Sequence, residues 1–314
     1  MLKRSVSAFL FLAAPAAAQH DHHAVPASAA RELDTLTRAV QRYRDVEVAQ
    51  AEGWKPSPLG REDSALMGEH WIRKGARDYA PGEPLDFTEP SNLQYAWVNG
   101  RRELVGVSYV VRIAPGEPLP QGFSGAADHW HVHDVLRGME AATEGRPVLR
   151  WLANAWIDRE YRSKGDDRSR LAMVHAWVTT PSPDGVFSMH NRAIPYLRVG
   201  LPLSFARRAT DETAMGVDLA SAKGCENALG GALWIAHAKA GQKRSLEASC
   251  AGLAVRMRAA VATRDERTVD AAGAAVWAEL DAARRATLSP DQLRRIASIT
   301  EHDPMSAPAH GTHR

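Results

Sequence analysis

The stretch LQYAWVNGRRELVGVSYVV, residues 93–111, decides the fold class. Asn99-Gly100 at its centre is a dipeptide suited to the two positive-φ positions of a type I′ turn. The flanks, 93–98 and 102–111, are rich in β-branched and aromatic residues, so the segment predicts an antiparallel hairpin. Upstream, Leu33, Leu36, Val40, Tyr43 and Val46 recur at helical spacing. They predict one helix over 29–51, with Ser28 as its cap and Gly53 and Pro56 past its end. Downstream, 171–178 reads as a second buried strand and 146–162 as a helix with Pro147 in its first turn. Beyond about Arg207 the chain turns Ala-rich, with helices expected over 227–240, 246–263 and 268–286 and a last one opened by Ser289-Pro290-Asp291. The expected class is α+β: an antiparallel-sheet domain with an N-terminal helix, followed by a C-terminal helical hairpin or bundle.

The 314 residues are 45% hydrophobic and 24% charged, ordinary globular usage that argues against disorder, collagen or a membrane bundle. Residues 1–18 read as a signal peptide: Lys3-Arg4, an apolar run around Phe9-Leu10-Phe11-Leu12, then Ala16-Ala17-Ala18, with cleavage expected near Ala18. That run is far shorter than the ~20 residues needed to span a bilayer, and Pro15 interrupts it. A periplasmic or secreted protein without stable membrane insertion is expected. Setting Lys3 and Arg4 aside, basic and acidic residues balance, so no nucleic-acid partner is expected either. The remaining organisation reads as a histidine-containing arm over 19–30, a β-rich domain over 31–205, a helical region over 206–300 and a tail over 301–314. His20, His22 and His23 lie in the arm, and His302, His310 and His313 in the tail.

The chain has two cysteines, Cys225 and Cys250. In an exported protein they predict one disulfide between the first two C-terminal helices, worth roughly 3 kcal/mol on the chain-entropy model.

The chemistry gathers in Asp128-His129-Trp130-His131-Val132-His133-Asp134. On a strand, positions i, i+2 and i+4 share a face, so His129, His131 and His133 project together while Trp130 points the other way. Two imidazoles at i and i+2 make half a metal site, and a neighbouring strand must supply the rest. His175, between Met173 and Trp177, is the leading candidate, and His70 is next. Asp128 and Asp134 are candidates to orient imidazoles from behind. Imidazole suits zinc, copper, iron or nickel, so the histidines alone do not choose; Met67, Met173 and Met189 nearby in sequence put copper slightly ahead of zinc. No G-x-S-x-G, H-E-x-x-H, P-loop or dinucleotide fingerprint occurs.

Two strands supplying three histidines resemble the zinc site of alpha-type carbonic anhydrases, in layout alone. A broader resemblance rests on an ordered motif set: Met67-Gly68-Glu69-His70-Trp71, Leu93-x-Tyr95, Leu104-Val105-Gly106-Val107-x-Tyr109, His129-Trp130-His131-x-His133, and His175-x-Trp177-x-x-x-Pro181-x-Pro183-x-Gly185-x-Phe187. This set resembles a family of exported bacterial proteins of unassigned function, over residues 31–195. Leu288-Ser289-Pro290-Asp291-Gln292 is similar to the L-T-x-x-Q motif of Spy-type periplasmic proteins.

The leading expectation is therefore a periplasmic or secreted copper- or zinc-binding protein. His131, His133 and His175 are its core ligands, and His70 or His129 completes the set. One alternative is a metalloenzyme, hydrolytic or oxidative, with an open metal position and Glu69 or Asp134 as base. The other is an envelope-stress or chaperone-like module working through the C-terminal helices.

Overall fold

The computed structural model describes residues 26–57, 63–77, 79–125, 128–160 and 170–300. The leader, most of the arm and the tail, with all six terminal histidines, lie outside the described residues.

The hairpin forms as its sequence demands. Strand β3 (Asn92–Val98) turns through Asn99 and Gly100, at φ 50° and 77°, into β4 (Arg101–Ile113). These two strands centre an antiparallel six-stranded sheet with β1 (Lys55–Pro56), β2 (Glu69–Ile72), β5 (His131–Asp134) and β6 (Arg170–Ala176), in the order β1-β2-β3-β4-β6-β5. One irregularity interrupts the hairpin register. Gln94 pairs with Gly106 but Tyr95 pairs with Leu104, leaving Val105 as an extra residue.

The two sheet faces differ in chemistry. One carries Trp71, Leu93, Tyr95, Val107, Tyr109, Val111 and Val174 into an apolar core closed by Leu36 and Val40 of helix α1 (Ala27–Val40). Trp130 packs against this core, as alternation with His131 requires. The other face is polar, with Asn92, Gln94, Ser108, His131 and His175 all buried.

The helix expected over 29–51 is broken. After α1 come a 3-10 turn over Gln41–Arg44 and a short α2 (Val46–Ala51). The Tyr95 hydroxyl donates to the Tyr43 carbonyl at 2.6 Å, and the Asp45 carboxylate accepts from the Glu47 amide at 2.9 Å. A core tyrosine and a local cap thus take backbone groups that a continuous helix would keep.

Helices α3 (Val135–Thr143) and α4 (Pro147–Glu160) follow β5, and α5 (Ala193–Arg198) follows β6. The C-terminal layer comprises α6 (Asp211–Asp218), α7 (Gly224–Ile235), α8 (Ala240–Thr263), α9 (Glu266–Thr287) and α10 (Pro290–Thr300). Its core also draws in Leu66, Ala193 and Tyr196 from the part of the chain nearer the sheet. Helices α6 and α9 meet backbone to backbone: a Cβ on Gly216 would lie 1.9 Å from the Gly273 carbonyl oxygen. The expected disulfide is present, joining Cys225 on α7 to Cys250 on α8 with Cα atoms 5.8 Å apart. Among the described residues no helix is long and apolar enough to cross a membrane.

A buried ion cluster that sequence reading missed ties the layers together. Arg198 donates to Asp218 at 2.8 Å, to the Ser64 carbonyl at 2.9 Å and to Asp63. Burial pushes Asp63 up to about 6 against the opposing pull of Arg198.

Candidate functional site

Strand register assembles the polar face. His131 pairs with Met173 and His133 with Leu171 across the β5–β6 ladder. His175, two residues beyond Met173, pairs with Ser108 on β4. At the far side of the hairpin, His70 pairs with Gln94, which itself pairs with Gly106. All these positions point to one face.

The imidazoles converge. Ring centroids are 4.9 Å apart for His131 and His133, 4.9 Å for His131 and His175, and 5.7 Å for His70 and His175. Two strands lie between His70 and His175, so their rings must lean toward each other over the hairpin. Gly106 lies beneath the Gln94 and Trp177 side chains on this face: a Cβ there would come within 2.8 Å of the Trp177 ring and 3.1 Å of Gln94 Oε1. A glycine inside a strand signals such close approach, and that signal was available in the sequence.

His175 is fully buried, and its Nδ1 lies 2.7 Å from the Met189 carbonyl oxygen. A carbonyl can only accept, so Nδ1 carries the proton and Nε2 presents a lone pair. That buried Nε2 has no hydrogen-bond partner among the described residues. Burial holds the His175 ring well below the ordinary imidazole range, with help from His131 and His70. The loss of hydration around His70 pushes it down to about 4. Its Nε2 lies 3.2 Å from Gln94 Nε2, which donates to it; Gln94 Oε1 is buried without a partner among the described residues.

Two imidazoles on one tetrahedral ion, each bound at about 2.0–2.1 Å, would hold their centroids about 5 Å apart. The observed spacings match that. The ring planes of His131 and His133 meet at 84° and those of His131 and His175 at 68°, edge to face. Among the described residues no group of three or more His, Cys, Asp or Glu side chains is disposed to hold an ion in these conformations. Ring rotation about χ2 is the adjustment that would aim the nitrogens inward.

The other expected participants are placed elsewhere. His129 precedes β5 and is exposed. Asp128 accepts from the Phe123 amide at 2.6 Å, and burial pushes it up to about 7. Asp134 caps α3 through the Arg137 amide at 2.9 Å. Both carboxylates thus serve backbone amides, and the group that orients His175 is the Met189 carbonyl, which no side-chain pattern announces. Glu69 is buried on the opposite face and accepts from Trp71 Nε1, Trp97 Nε1 and Arg102. With its oxygens so engaged it is poorly placed as a general base. The Leu288–Gln292 motif has a local explanation: Ser289 and Gln292 bond reciprocally, and Gln292 Nε2 donates to the Ala236 carbonyl at 3.0 Å.

No family model matches this chain, and neither a curated protein nor a solved structure shows significant similarity to it.

Proposed function

We propose that this protein is an exported, non-catalytic transition-metal-binding protein for copper or zinc. His131, His133 and His175 form the core donor set, and His70 joins once Gln94 releases its ring. The observation that carries this reading is the buried His175 Nε2, a lone pair without a hydrogen-bond partner among the described residues, with the His131 ring beside it. The Nδ1–H···O=C bond behind it is the arrangement that fixes the tautomer of metal-bound imidazoles. Export agrees with the Cys225–Cys250 disulfide, a bond that persists in oxidising compartments. Binding is favoured over metalloenzyme chemistry because Glu69 and Asp134 already serve structural bonds.

Metal content of untagged protein tests the proposal. A variant lacking the terminal histidines should retain about one copper or zinc ion per chain, and adding His131→Ala with His133→Ala should abolish it. Equal metal content in the two variants would overturn it.

A further inference from the structure

We infer that the histidine site is built for a soft univalent ion, Cu(I), with the Met173 thioether as a donor beside His131 and His175; this rests on the metal-binding reading above. Met173 is the direct register partner of His131 and precedes His175 by two residues, so its side chain shares their face. It is 8% exposed, and among the described residues it belongs to neither the apolar core under the sheet nor the cluster around Trp177. Met67 and Met257 differ, since Met67 packs in the Trp177 cluster and Met257 in the helical core.

The donor set points the same way. Both cysteines are joined in the disulfide, Glu69 faces the other side, and Asp134 caps α3. Among the described residues, the donors that the register gathers on this face are imidazole nitrogens and the Met173 thioether sulfur. The cost of burying an ion rises with the square of its charge, so uncharged donors favour a univalent ion over a divalent one. Thioether sulfur adds preference for Cu(I) over Zn(II).

The test uses the full mature chain, with ascorbate as reductant to keep copper as Cu(I), and compares wild type, Met173→Leu and Met67→Leu. Cu(I) affinity is read by competition with bicinchoninate and Zn(II) affinity by competition with a zinc chelator. Met173→Leu should weaken Cu(I) by about tenfold or more, equivalent to about 1.4 kcal/mol, leaving Zn(II) unchanged. Met67→Leu should change neither. X-ray absorption of the Cu(I)-loaded protein should show a sulfur neighbour in wild type, in Met67→Leu and in Met189→Leu alike, which supports the inference even if Met173→Leu fails to fold. A copper shell without sulfur, or equal loss of both metals in Met173→Leu, overturns this inference while leaving metal binding standing. Wild type that takes up neither metal overturns both readings.

Discussion

His175 Nδ1 and the Met189 carbonyl oxygen stand 2.7 Å apart, and this bond decides which ring nitrogen faces the histidine cluster. The orienting group is main chain from the segment after β6, so the tautomer is set by how that segment lies over the sheet.

An ion held there should stabilise the fold. At a free concentration 100 times its Kd, a ligand binding only the native state adds about 2.7 kcal/mol. Calorimetric melts with and without copper should show the corresponding rise in Tm in wild type. His175→Phe should remove that rise.

The buried cluster around Arg198 predicts an asymmetric response. Arg198→Met strands Asp63 and Asp218 together and should cost about 3–5 kcal/mol in urea unfolding at pH 7. Asp63→Asn should cost much less, because burial already favours the neutral form and Asp218 still faces Arg198. The pH dependence follows from the sign of the shift. Asp63 is raised from 3.8 to about 6, so the native state binds its proton more tightly than the unfolded chain does. Its contribution to stability is full in acid and falls as pH rises through that window. Asp63→Asn should remove that component from the stability-against-pH curve.

Cys225 and Cys250 close a loop of sequence separation 25 in the helical layer. Replacing both with Ala should lower stability by roughly 3 kcal/mol, measured against oxidised wild type. Wild type under reductant should move in the same direction.

Gly106→Ala should destabilise by about 1–3 kcal/mol, because its Cβ meets Trp177, the Ala176 carbonyl and Gln94 all within 3.1 Å. Gly138→Ala is the matched contrast. A Cβ there meets nothing within 4 Å on α3, and about 0.4–1 kcal/mol of stabilisation is expected. Paired denaturant titrations check both.

Local chemistry alone determined the hairpin, the helical C-terminal layer and the pairing of His131 with His133. The Asn99-Gly100 turn, the 3.6-residue periodicity and strand alternation each act within a few residues, and a sequence displays such signals directly. Two cysteines likewise leave only one intramolecular pairing. What tertiary structure decided lies in contacts between distant segments. Tyr95 breaks the first helix by bonding Tyr43, 52 residues away, and Arg198 reaches Asp63 across 135. His70 meets His175, 105 residues away, only through the order of the strands, and Gly106 gives Trp177 and Gln94 their close approach to the backbone. The partner of His175 is a carbonyl, and every residue has one. Side-chain patterns therefore cannot single it out, and only the path of the backbone can.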